Sequence, residues 1–459
     1  MDHDDDTSPT PPGDRVLVSA DAAGLRLVRF LYCDYGGIVR GKATHAAGLA
    51  DRLEEGIALT TAQLAMNARD ELQDIPGMTA VGEVRLVPDP QSFTILPYAP
   101  RTGAMMCDLV TLDRSLWEAC PRAFLRRMID RAGQEGLMIQ AVFENEFFLA
   151  RNEDRRYVAA DNSLCFSTVG MNAQAEVIDE LIAALESQGI QVEQALPEYG
   201  GGQQEISIRH APVMEAADHQ IIVRETARTI AANQGLVASF AAKPFPDEIG
   251  SGAHVHVSLW DTRSGENVFH DPTAPRDFSD TGRKFVAGIL AHLPALVALT
   301  CPTVNSFRRL QPHAWASAYV AWGFDNREAA VRVPSTFWGR EQGTTNIELK
   351  TVDNTCNPYL ALGGIIAAGL DGIERDLDPG DPFEVDPGNM SEAEREARGA
   401  GRLPGSLDEA LAALAEDTAI TGALGSMLHA SYAAVRQSEA AAYRDMDEAD
   451  EYREHLSRY

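Results

Sequence analysis

Lysine is nearly missing from this chain. Of 39 Lys and Arg residues only four are lysine: Lys42, Lys243, Lys284 and Lys350. Against 68 Asp and Glu this leaves a formal net charge of −29, which argues against nucleic acid or an anionic membrane as a partner, since both repel a polyanion. A surface rich in acid and poor in lysine suits concentrated salt, where the Debye length shrinks to about 3 Å at 1 M and self-repulsion is screened. The composition therefore predicts a halophilic protein. Cysteine is sparse too: Cys33, Cys107, Cys120, Cys165, Cys301 and Cys356 form no C-x-x-C pair, and they read as free thiols in a reducing compartment. No charge-free apolar run reaches the roughly 18 residues that span a bilayer. The opening Met1-Asp2-His3-Asp4-Asp5-Asp6 is acidic, unlike a secretory leader. A cytoplasmic location is expected, and no internal repeat is visible.

What is present is an ordinary globular composition, 45% hydrophobic and 7% aromatic over 459 residues, enough for two or more domains. Residues 1–15 form a Pro/Asp/Thr-rich stretch expected to be a disordered tail. Leu25 to Leu31 and Ile38 to Ala43 read as strands joined by the turn Asp34-Tyr35-Gly36-Gly37. With a short helix and further strand-like pieces they predict a small α+β domain over 16–115. Over 116–459 helical and strand patterns alternate, with a helix from Pro121 and others near Met214–Asn233, Lys284–Leu299 and Pro358–Ile373. Pro294 predicts a kink or break, and Asp376 to Gly405 an exposed acidic loop. The pattern gives an α/β catalytic domain with several antiparallel strands.

The apolar run Ile139 to Leu149 contains Glu144 and Glu146. On a strand, residues i and i+2 share a face, so the two carboxylates point the same way. Two adjacent anions in an apolar strand are costly unless a cation neutralises them, although a lone Glu-x-Glu is more often the wet face of an edge strand. The same grammar recurs. Glu198 and Glu205 flank Gly200-Gly201-Gly202, His254-Val255-His256 repeats the i, i+2 spacing, and Asn346-Ile347-Glu348-Leu349-Lys350 sets Glu348 and Lys350 on one face. Arg309, Arg327 and Arg332 punctuate the region between, and arginine suits bidentate recognition of carboxylate or phosphate.

In order and spacing these segments resemble the glutamine synthetase family over about residues 20–445. The resemblance is carried by Glu144-Asn145-Glu146-Phe147-Phe148, Glu198 to Glu205, Gly250 to Ser258, Asn305 to Leu310, Asn326 to Pro334, Glu348 and Asn357-Pro358-Tyr359-Leu360. It implies a β-grasp-like amino-terminal domain and a catalytic domain with a curved, mainly antiparallel, funnel-shaped sheet. It further implies rings of subunits, typically dodecamers of two hexamers, with sites between neighbours. The implied activity joins the γ-carboxylate of glutamate to an amine at the expense of ATP, through γ-glutamyl phosphate. By position, Glu146, Glu198 and Glu205 would hold one Mg²⁺ or Mn²⁺, and Glu144, His254 and Glu348 a second that touches the ATP phosphates, a donor set such ions accept. Arg309 would clamp the glutamate carboxylate. Arg327 and Arg332 would serve the transferring phosphoryl group and ATP. Glu193, His256 and Ser258 would line the nucleotide pocket.

Departures from the family pattern sharpen the expectation. Trp315, in Gln311-Pro312-His313-Ala314-Trp315-Ala316, stands where the family carries a flap glutamate, and Thr60, after Glu54-Glu55-Gly56, stands where it carries an aspartate. Both missing carboxylates would bind ammonium. At about 1.5–3 kcal/mol per charged hydrogen bond, losing both costs roughly 10²- to 10⁴-fold in ammonium use. Trp315 could instead pack an alkyl chain or hold an alkylammonium by cation–π contact. The expected acceptor is a primary amine or polyamine, with Thr60 and Trp315 in its pocket. A glutamine synthetase proper and a non-catalytic sensor or scaffold are the alternatives. Ile249 replaces an asparagine at the glutamate amino group, and Asn346 and Lys350 replace arginines at the nucleotide and phosphate end. Val385 occupies the place of the tyrosine that some members adenylylate, so that control is expected to be absent.

Overall fold

The structure, a computed structural model, describes residues 11–154 and 156–459. Most of the expected tail, residues 1–10, lies outside that range. Its remainder is not a tail: a helix runs from Pro12 to Ala22, with proline at its first turn, Asp14 near the positive helix end, and Val16 and Ala20 buried one turn apart.

Strands β1 (Leu27–Cys33), β2 (Val39–His45), β3 (Ile57–Thr60), β4 (Glu83–Pro88), β5 (Thr94–Ile95) and β6 (Thr102–Val110) build a first sheet in the order β2-β1-β6-β4-β3, with β5 also on β6. The hairpin expected around Asp34 to Gly37 is present as the antiparallel β1–β2 pair, and β1 runs parallel to β6.

A second, curved sheet holds β7 (Leu137–Glu153), β8 (Arg156–Ala159), β9 (Val192–Pro197), β10 (Gln203–Ile208), β11 (Ala211–Pro212), β12 (Val237–Ser239), β13 (Ala253–Asp261), β14 (Trp322–Phe324), β15 (Val331–Val333) and β16 (Ile347–Leu349). Its main path is β14-β15-β16-β13-β7-β10-β9, and β8, β11 and β12 also pair with β7. Every pair but β14–β15 is antiparallel. Strand β7 is the axis. Ile139, Ala141, Phe143, Asn145 and Phe147 are buried on one face under the helices Pro121–Gln134 and Val213–Asn233, while Val142, Glu144 and Glu146 are half-buried on the other.

Behind the sheet, the helices Asp280–Thr300 and Pro358–Glu374 pack so closely that a Cβ on Gly288 would lie 2.1 Å from the Ala368 carbonyl oxygen. The first of these passes through Pro294 without breaking. Tertiary burial outweighs the one lost backbone hydrogen bond, for the helix is apolar enough to cross a membrane yet 78% buried within the protein. The acidic stretch 376–405 is likewise not all loop. A helix at Glu392–Ala397 opens on a capping box between Ser391 and Glu394. Between the two sheets Arg122 is buried and pairs with Asp89 at 2.8 Å, Asp108 at 3.1 Å and Asp218 at 2.9 Å.

Candidate active site

Register alone assembles a row of polar side chains across the second sheet. Glu205 lies opposite Glu146, His254 opposite Glu144, His256 opposite Glu348, and Glu348 opposite Arg332. Cross-strand partners share a face and side chains alternate along each strand, so all of these project to the same side. Glu198 joins them from the turn after β9, where the Gly200-Gly201-Gly202 link lets the chain double back into β10. Gly202 has φ +70°, and a Cβ there would meet the Leu149 carbonyl oxygen at 2.7 Å.

The row divides into two halves of different electrostatic character. In the first, Glu348 lies 2.5 Å from Arg332 and 3.5 Å from both Lys350 Nζ and His254 Nδ1. Burial alone would raise its carboxyl, but Lys350, His254 and His256 hold it at about 2. Burial also pushes Glu144 up, and His256, 3.3 Å away, with His254 at 3.9 Å, overcomes this and holds it well below the ordinary range. His256 is driven the other way: burial opposes its charge, but Glu144 brings it to about 9. Its Nδ1 is fixed at 2.8 Å by the side-chain oxygen of Asn346, which leaves Nε2 turned to Glu144. His254 is pushed down by burial and by Lys350 against the pull of Glu144, Glu146 and Glu348, a direction that favours the uncharged imidazole a metal ligand requires.

The second half is less compensated, with His254 Nδ1 3.7 Å from Glu146 and the charge of Lys350 acting on Glu198. Glu146 accepts the Gly252 backbone N–H at 2.7 Å, but no lysine or arginine pairs with Glu198 or Glu205 among the described residues. Burial and the charges of Glu144, Glu146 and Glu198 push the Glu205 carboxyl up to about 8. Burial and Glu146 raise Glu198 as well. Carboxyls raised by one another's charge are ones a bound cation would neutralise. An oxygen-rich, anionic, half-buried cluster fits Mg²⁺ or Mn²⁺. On the first half, Glu144, His256 and Glu348 offer ligand atoms within 4.8 Å of one another, so the geometry brings forward His256 beside the expected His254.

A cavity of about 690 Å³ opens beside the first half, a size suited to a small-molecule ligand. Glu193, His256, Ser258, Arg327, Arg332 and Asn346 all line it, and Glu144 connects it to the carboxylates. Arg340 and Phe337 also line it. Both escaped the sequence reading because they sit in an irregular segment whose only signal is an arginine near two aromatics. Arg309 is buried, donates to the Val352 and Lys350 carbonyls at 3.1 Å, and places Nη2 3.4 Å from His254. Gly250 and Gly252 make room for it, since a Cβ on either would lie 2.6 Å from its side chain.

The two expected amine-pocket residues lie on separate elements. Thr60 ends β3 in the first sheet and donates to the Thr79 carbonyl at 3.3 Å. Trp315 lies 62% exposed in the segment that leaves the Arg309 helix.

Residues 11–117 match the family description "Glutamine synthetase N-terminal domain", and residues 118–455 match "Glutamine synthetase, catalytic domain". The gamma-glutamylpolyamine synthetase GlnA3 of Streptomyces coelicolor is 35% identical over 430 residues, covering 93% of this chain and 92% of that protein. A glutamine synthetase of Halobacterium salinarum is 33% identical over 436 residues, 94% and 93% of the two chains. Among solved structures, a "novel glutamine synthase homolog" superposes with a TM-score of 0.85 at 34% identity, over 95% of this chain and 99% of the other. A GmaS/ADP complex superposes with a TM-score of 0.83 at 28% identity, over 95% and 98%. Two-sheet fold and polar site thus define an ATP-dependent ligase. The chain belongs to the glutamine synthetase family.

Proposed function

We propose that this protein is a glutamate–amine ligase: it activates the γ-carboxylate of glutamate with ATP and passes the γ-glutamyl group to a primary amine or polyamine. One observation carries the reading. A cluster of carboxylates in which no lysine or arginine pairs with Glu198 or Glu205 among the described residues runs, on one sheet face, into a nucleotide-sized cavity lined by arginines. Glu146, Glu198 and Glu205 would hold one divalent ion, and Glu144, His254 and Glu348, with His256 adjacent, a second. Bound there, the ions supply neutralisation of the charge that develops in phosphoryl transfer.

The chain's own residues do the rest. Arg327 and Arg332, on the cavity wall, present planar forks to phosphate oxygens. Lys350, 3.4 Å from His254 and 3.5 Å from Glu348, adds a fixed positive charge where the acyl phosphate would form. Asn346 orients His256 and, being neutral, leaves the nucleotide end to the arginines. Arg309 is preset by two backbone carbonyls to receive the glutamate carboxylate. Glu193 and Ser258 complete the nucleotide wall.

The choice of amine over ammonium is supported by Trp315, whose exposed indole replaces a carboxylate, and by the name of the Streptomyces relative. The placement of Thr60 and Trp315 on separate elements favours a homo-oligomer in which one subunit's first sheet completes its neighbour's site. The expected assembly is a dodecamer of two hexameric rings working in the cytoplasm. Phosphate release from ATP and glutamate, measured in high salt across a panel of mono- and polyamines with ammonium included, tests the reading. An amine should outpace ammonium by at least 10²-fold. Glutamine formation at comparable rates would assign ammonium instead, and no turnover with any pair would point to a sensor or scaffold.

A further inference from the structure

Between Gln311 and Ser317 the backbone is held in an unusual path, for His313, Trp315 and Ser317 all adopt positive φ, at 59°, 53° and 65°. Residues with side chains rarely do this unless their surroundings impose it. What grips the segment at its middle is Glu328, whose Oε1 accepts the Trp315 backbone N–H at 2.9 Å. The other carboxylate oxygen has no hydrogen-bond partner, and no lysine or arginine forms an ion pair with Glu328 among the described residues. The charged groups that reach it are Asp386, His313 and Lys350. Of these, His313 is already tied to Asp386 at 3.0 Å, and Lys350 to Glu348. Glu328 is thus a half-buried anion with a free oxygen. One backbone hydrogen bond links it to the residue that carries the exposed indole, and the charge of Lys350, itself paired with Glu348, reaches it. Burial raises its carboxyl, as expected for an anion short of a partner.

We infer that Glu328 holds the ammonium head of the acceptor amine while Trp315 packs the adjoining alkyl chain, so that the carboxylate absent from the flap is supplied from beneath it. This rests on the amine-ligase reading. A sequence view alone hides it, because Glu328 sits in Asn326-Arg327-Glu328-Ala329 beside an arginine that draws the attention.

Glu328→Gln provides the test, since the amide oxygen still accepts the Trp315 N–H while the charge is lost. With the best amine of the panel, KM for the amine should rise roughly 10- to 100-fold, and KM for ATP and for glutamate should stay within about twofold. Hydroxylamine, which is uncharged near neutral pH, should be used equally well by wild type and variant. Glu328→Asp, retaining the charge on a shorter arm, should fall between them, and it serves as the informative variant if Glu328→Gln misfolds in thermal denaturation. An unchanged amine KM in Glu328→Gln, or an equal loss with hydroxylamine, overturns the inference and leaves Glu328 a clasp for the flap. Wild-type inactivity with every amine sinks instead the reading on which it rests.

Discussion

Glu205 is the side chain on which cation binding should be easiest to observe. Its carboxyl is raised from an ordinary 4.5 to about 8, so between those values the folded protein retains a proton that the unfolded chain has released. The associated stability is fully present below the ordinary carboxylate value and is lost as pH climbs toward 8. Thermal denaturation in chelator should therefore show melting temperature falling from pH 5 to pH 8. Mg²⁺ or Mn²⁺ should cancel the fall by neutralising the cluster, and Glu205→Gln should flatten the slope without metal. A melting temperature as steep with saturating Mn²⁺ as without it would count against a cation at Glu146, Glu198 and Glu205. At this scale the sequence was generous where periodicity of two does the work. Glu144 with Glu146, and His254 with His256, share a face because strands leave no choice. What it withheld depends on neighbours distant in the chain: the turning of His256 by Asn346, and the reach of Glu328 to the Trp315 backbone.

Among the elements, the two central helices meet at Gly288 and Gly372, where a Cβ on Gly372 would come within 2.2 Å of the Lys284 carbonyl oxygen. Backbone cannot yield as a flexible side chain can, so Gly288→Ala should cost about 2–3 kcal/mol by overpacking. Urea denaturation would read this as a lower midpoint with unchanged slope, and a midpoint equal to wild type would contradict the close approach. Long elements with a full apolar period were legible. The helices from Pro121, near Met214 and from Pro358 stand within a few residues of where their patterns put them. Strands β14 and β15, three residues each, were not, because three residues carry no period and their pairing is fixed only once β16 is in place. Pro12 and the break expected at Pro294 misled in opposite directions. One opens a helix that looked like tail, and the other sits inside a helix that burial keeps whole.

For the molecule as a whole, the net charge of −29 dominates behaviour in solution. Activity and melting temperature should both rise from low salt to molar KCl as self-repulsion is screened. A maximum below about 0.1 M would show that the acidic surface is not an adaptation to brine. Mass measured in the same buffers would give the subunit number, and loss of amine turnover on dissociation would fit a site completed by a neighbour. One further consequence follows from Arg122. A single guanidinium is shared by Asp89 and Asp108 on the first sheet's side and by Asp218 on the helix Val213–Asn233 that packs on the second sheet, so parting the two would strand at least one buried charge without its counterpart. That seam is a weld and not a hinge.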